Sequence, residues 1–211
     1  MADIILLEGI DGSGKSTVTD HLKNIAYKSG IQVVEVVRDP GTSAFGEAIR
    51  RICADPTITA TSLSLCLAFM AARTELAKSL QESQAELIIL DRYWPSTIAY
   101  QCFGGGVDRD IVLQHVRLLD ELYPGAYIPR SQRFCMKIDI NLAHERRMVD
   151  KGRAGERFKA ADMEFKQRVA AGYDWLCEEG LLQPIEIAPD MVPDAVARKI
   201  WAQLGRYTHE D

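Results

Sequence analysis

The sequence predicts an α/β fold: a five-stranded parallel sheet with helices on both faces. Three observations predict it. Short apolar runs alternate with longer helical patterns along the whole chain. Most of these runs are nearly continuous in apolar residues, as expected for parallel strands covered on both sides. Between the first run and the first helical pattern stands a glycine-rich turn ending in Lys15-Ser16, at a junction where such a turn carries meaning.

In order, the strands are expected at Asp3–Glu8, Gln32–Val37, Leu87–Leu90, Phe134–Ile140 and Leu182–Ile187. The helices are expected at Lys15–Lys28, Phe45–Cys53, Ser62–Gln84, Arg109–Leu122, Leu142–Val149, Ala161–Glu178 and Pro193–Leu204. Strand–helix alternation at this spacing implies right-handed crossovers between parallel strands. In such sheets ligands gather at the carboxyl ends of the strands, so the residues following each strand carry the function.

The 211 residues fit one domain, residues 1–211, without internal repeat, linker or low-complexity tract. A formal charge of -5 argues against broad binding to nucleic acid or to an anionic membrane. The longest apolar runs are too short to span a bilayer, and "MADIILLEG" lacks the basic and long apolar regions of a secretory leader. Five cysteines, odd in number and without a CxxC pair, read as buried reduced thiols rather than zinc ligands or a disulfide framework. The expected location is therefore the cytoplasm.

Gly9-Ile10-Asp11-Gly12-Ser13-Gly14-Lys15-Ser16 fits Gly-x-x-x-x-Gly-Lys-Ser/Thr, with Thr17 continuing into the helix. Glycines let backbone N–H groups converge on phosphate oxygens, and the helix N-terminus adds positive potential. Lys15 would reach the β- and γ-phosphates of a nucleoside triphosphate, and Ser16 would hold Mg²⁺. No Asn-Lys-x-Asp guanine reader is present, which disfavours a GTP-driven switch. Arg38 and Arg92 close the second and third strands. Two planar, permanently charged forks beside a phosphate loop suit a second phosphate-bearing substrate.

The stretches "LLEGIDGSGKST", "DRYWPSTIAYQ" and "FKQRVAAGYDWL", in this order and spacing, resemble the thymidylate kinase family, and "RDPGT" with "FGEAIRRI" resembles its Arg-Glu-Pro-Gly element. The similarity runs from Ile4 to about Ile200. It implies a P-loop kinase fold and transfer of the γ-phosphoryl of ATP to a deoxynucleoside monophosphate, most plausibly dTMP. It places Gly9, Asp11, Gly12, Ser13, Gly14, Lys15, Ser16 and Thr17 at ATP. Asp91 would hold Mg²⁺ together with Ser16, and Arg92 would bind the acceptor phosphate with Arg38. Phe69 and Arg73, four apart on one helical face, would stack on the base and bond a pyrimidine carbonyl. Tyr100 would lie under the sugar and disfavour a ribose. Thr97, Gln101, Pro40 and Asp11 complete the acceptor site, although turn and packing roles serve Thr97 and Pro40 equally well. Family members are commonly homodimers, and the apolar helix Ser62–Gln84 offers an interface.

"DKGRAGERFKAAD", about residues 150–162, resembles the family's mobile lid. The phosphate loop lacks an arginine, so Arg153, and next Arg157, would supply the positive charge that stabilises the transferring group. The sequence departs from the family at Asp39, Glu156 and Lys159. The shorter Asp39 is expected to reach toward metal or phosphate. Alternatives are a kinase for another or 5-modified deoxynucleotide, a deoxynucleoside kinase with Asp39 as base, and a non-catalytic nucleotide-binding regulator.

Overall fold

The computed structural model describes residues 2–149 and 163–205. Five strands, β1 (Asp3–Glu8), β2 (Val34–Arg38), β3 (Leu87–Asp91), β4 (Arg133–Lys137) and β5 (Gln183–Glu186), form one sheet in the order β2-β3-β1-β4-β5. Every pairing is parallel. The described helices are α1 (Lys15–Lys28), α2 (Ala44–Ala54), α3 (Ser62–Glu82), α4 (Trp94–Thr97), α5 (Arg109–Leu122), α6 (Ile140–Val149), α7 (Met163–Glu178) and α8 (Pro193–Gln203).

Side chains of β1 alternate between two cores, as a period of two requires. Ile4 and Leu6 join α3, α5 and α7 on one face; Ile5 and Leu7 join α1 and α8 on the other. Helix starts follow local chemistry. Ser43 caps α2 by accepting from Gly46 N, Thr61 caps α3 by accepting from Ser64 N, and Asp108 caps α5 by accepting from Asp110 N. Each such cap stabilises its helix by about 1 kcal/mol.

Differences from the expected elements sit mainly at ends. The fourth strand stops at Lys137 because Asp139 Oδ1 accepts from Asn141 N and Leu142 N, at 2.9 and 3.0 Å, and starts α6. The second and third strands each run one residue further, so Arg38 lies in register with Asp91. Residues 161 and 162 of the expected sixth helix, and the expected lid with Arg153 and Arg157, lie outside the described residues.

The segment that follows β3 was not expected. After β3 the chain enters α4 through Pro95 and widens into a π-helix over Ile98–Gly104. This segment packs on α7 almost backbone to backbone. A Cβ on Gly172 would stand 2.8 Å from Ala99 Cα, so only glycine admits the approach. The turn after β3 and the π-helix bring Arg92, Thr97, Tyr100 and Gln101 to the carboxyl edge of the sheet, beside the loop that follows β1.

Candidate active site

The loop between β1 and α1 has left-handed glycines at Gly9, Gly12 and Gly14, with φ of 137°, 89° and 89°. At Gly12 the need is also spatial, because a methyl there would collide with the Ala143 carbonyl. Lys15 is buried under the loop. Its Nζ donates to Gly9 O at 2.9 Å, Ile10 O at 3.0 Å and Ser13 Oγ at 3.3 Å. Burial, then the nearby Arg92 charge, lowers its pKa to about 8, against the pull of Asp91, Asp11 and Glu8.

Two clefts open at this edge. The first is lined by Gly12, Ser13, Gly14, Lys15, Ser16 and Thr17, by Asp91, and on its far side by Arg146, Met191 and Pro193. Gly9 stays behind it and contributes its carbonyl to Lys15. Asp91 Oδ1 is buried without a hydrogen-bond partner, and Asp91 Oδ2 stands 3.8 Å from Arg38 Nε.

The second cleft is lined by Asp11, Arg38, Pro40, Phe69, Arg73, Arg92, Thr97, Tyr100 and Gln101, together with Asp39, Arg50 and Ser96. Its floor holds a buried ion pair. The Arg73 and Asp39 side chains are 2% and 0% exposed, and Asp39 Oδ2 accepts from Arg73 Nε at 2.7 Å and lies 2.6 Å from Nη2. Thr97 Oγ1 accepts from the same Nη2 at 3.0 Å. Arg73 Nη1 and Asp39 Oδ1 have no partner. Asp39 therefore points at Arg73 rather than at a metal or phosphate: with Arg73 fully buried, its neutralising acid must be buried beside it. An arginine with only its stem covered would be the ordinary outcome from sequence.

The two clefts share a wall of Asp11, Arg38, Arg92 and Arg147. Asp11 Oδ1 meets Arg92 Nη2 at 2.7 Å, and Asp11 Oδ2 meets Arg147 Nη1 at 2.6 Å. Burial alone would raise the Asp11 pKa, but Arg92, Lys15 and Arg147 hold it well below the usual carboxylate range. Arg92, the one described non-glycine residue with positive φ (72°), donates from Nη1 to Ser96 Oγ at 2.9 Å and to Tyr173 OH at 3.0 Å. Its guanidinium also lies 5.3 Å from the centre of the Tyr100 ring.

Sequence reasoning missed Arg147, Arg50, Ser96, Tyr173 and Glu8. A signal existed for Glu8, an acid closing an apolar strand just as Asp91 does. Arg147 gave none, because it joins the wall only through the fold.

The chain matches the sequence model of the thymidylate kinase family over residues 7–189. It is 31% identical over 207 residues to a thymidylate kinase of Prosthecochloris aestuarii, covering 93% of this chain and 90% of the relative. It is 32% identical over 215 residues to one of Chlorobaculum parvum, covering 95% and 94%. The crystal structure of thymidylate kinase from Ehrlichia chaffeensis superposes with a TM-score of 0.71 at 28% identity, covering 97% of this chain and 98% of that one. The chain belongs to the thymidylate kinase family, and its fold is the P-loop kinase fold.

Proposed function

We propose that this member of the family transfers the γ-phosphoryl group of ATP to dTMP, giving ADP and dTDP. The observation that carries the reading is the shared wall: a phosphate-loop cleft and a base-sized cleft meet at Arg38, Arg92 and Arg147. A phosphoryl group passing between two anions needs positive charge at that junction. ATP lies along the loop glycines, with Lys15, Ser16 and Thr17 at its phosphates. dTMP lies in the second cleft, its base over Phe69 and Pro40 and its carbonyl on Arg73 Nη1. Thr97 and Gln101 stand beside the base, Tyr100 and Asp11 at the sugar, and Arg92 and Arg38 at the phosphate. An acceptor monophosphate already offers an anionic oxygen, so positioning replaces a general base. Asp39, tied to Arg73, is not free to act as base for a neutral 5′-hydroxyl.

The residues present fit Mg²⁺. Asp91 Oδ1, a buried carboxylate oxygen without a partner, and exposed Ser16 line the same cleft, a hard-oxygen set for a hard cation. Bound there, the ion would neutralise charge on the β- and γ-phosphates. Arg153 and then Arg157 are the lid residues proposed to reach the transferring group, the lid spanning about residues 150–162 of a single domain.

A homodimer in the cytoplasm completes the reading. Leu63 and Leu67 on α3 are 45% and 51% exposed, and Phe45 and Ile52 on α2, which packs against α3, are exposed too, apolar side chains suited to a second copy. The described cysteines are free thiols, as a reducing compartment keeps them. Among the described residues no helix is long and apolar enough to cross a membrane. ADP release measured with ATP and Mg²⁺ across deoxy- and ribonucleoside monophosphates, 5-hydroxymethyl-dUMP and thymidine tests the activity. A maximum at dTMP is expected; phosphorylation of thymidine alone would overturn it.

A further inference from the structure

We infer that Glu8 and Tyr173 are positioning residues for the acceptor phosphate: they clamp Arg92 so that its outer nitrogen faces the junction of the two clefts. The inference rests on the assignment of Arg92 to that phosphate. Glu8 is 0% exposed at the end of the central strand β1. An acid there persists only when hydrogen-bonded, and it accepts three hydrogen bonds. Tyr93 N donates to Oε1 at 2.8 Å, and the Ser96 and Tyr173 hydroxyls donate to Oε2 at 2.7 and 2.9 Å.

A hydroxyl has one proton and two lone pairs. Ser96 and Tyr173 both reach Glu8 Oε2, their oxygens also lie 3.0 Å from each other, and both turn lone pairs to Arg92 Nη1, at 2.9 and 3.0 Å. The carboxylate thus sets the polarity of the two hydroxyls, and the two hydroxyls fix one guanidinium nitrogen from behind. Nη2 reaches the junction, where it donates to Asp11 Oδ1 at 2.7 Å. The same carboxylate holds the main chain. Arg92 has a left-handed φ of 72°, and the next amide, Tyr93 N, is the one bound to Glu8, while Arg92 N bonds Leu7 O at 3.0 Å. Side chain and backbone of Arg92 are fixed from one point, which is how a strained residue is kept in place at a functional site.

If Glu8 and Tyr173 only supported the fold, their loss would affect both substrates alike. The test is therefore a substrate-resolved double-mutant cycle. Tyr173→Phe keeps the buried ring and removes the hydroxyl that contacts both Glu8 and Arg92. It is expected to raise KM for dTMP by roughly 10-fold, the scale of one hydrogen bond to a charged group, with KM for ATP unchanged. In an Arg92→Lys background the same change should shift KM for dTMP by less than about 2-fold, since no guanidinium remains to be aimed. Glu8→Gln, which places amide hydrogens where the hydroxyls donate, should act in the same direction; if it does not fold, Tyr173→Phe decides alone. Equal shifts for ATP and dTMP, or an effect of Tyr173→Phe that ignores the background, would overturn the inference. An Arg92→Lys enzyme with the parental KM for dTMP would remove Arg92 from the acceptor phosphate, and the inference with it. That outcome is read from the single variant and so stands apart.

Discussion

Replacing Asp39 by alanine should be among the most damaging single changes in the second cleft, and its cost can be worked from contacts. Arg73 is 2% exposed, and its Nε and Nη2 both rest on Asp39 Oδ2, at 2.7 and 2.6 Å. The other contacts are Thr97 Oγ1 at 3.0 Å and the Tyr93 ring at 5.4 Å, and Nη1 has no partner. Asp39→Ala leaves a buried guanidinium with a single neutral acceptor. Breaking a buried pair from one side costs about 3–5 kcal/mol. For a chain of this size that is a fall in Tm of roughly 6–20 °C. Urea denaturation should show the lower midpoint with an unchanged slope. The double variant Asp39→Ala/Arg73→Met removes the stranded charge and should recover most of the loss, while dTMP binding stays impaired. A single-variant loss below about 1 kcal/mol, or a double variant no more stable than the single, would refute the reasoning.

Lys15, held at about pKa 8, keeps its proton below that pH and loses it above. So kcat/KM for ATP should fall above about pH 8, with the limb in kcat displaced upward because bound phosphates favour the ammonium; a flat profile to pH 10 contradicts this. Its stability contribution has the opposite sign. An unfolded lysine holds its proton to about pH 10.4, so across this window unfolding takes up a proton and stability from this group rises with pH. Gly12→Ala should abolish measurable ATP binding by calorimetry, because φ 89° and the Ala143 carbonyl both exclude a methyl. Arg153→Ala should lower kcat on the order of 10³-fold with an unchanged Tm; a near-normal rate moves that role to Arg157. Tyr100→Ala should relax discrimination against the ribonucleotide in a dTMP-versus-ribothymidine-monophosphate assay, and an unchanged ratio removes Tyr100 from the sugar.

Much of this was legible because it is local. Apolar runs mark β1 and β3. The phosphate loop announces itself by glycine spacing. What stayed hidden depends on partners distant in sequence. Arg73 and Asp39 are 34 positions apart, so nothing near either one says that both are buried. The π-helix over Ile98–Gly104 answers the close approach of Gly172, far along the chain, and not any propensity of its own residues. Asp139 was read as strand because the apolar run around it masks its capping role. Glu8 was passed over as one more residue of a strand, since its three donors come from positions 93, 96 and 173.

The bond from Tyr173 to Glu8 spans 165 positions. On a ribosome this sets an order of events. The nucleotide loop and its helix are complete within the first thirty or so residues made, yet Arg92 cannot be gripped until α7 has left the exit tunnel, since domains complete their long-range contacts late. A stalled or truncated chain would display the nucleotide loop before Tyr173 holds Arg92. The onset of kinase activity during synthesis would therefore mark the arrival of α7 on the sheet.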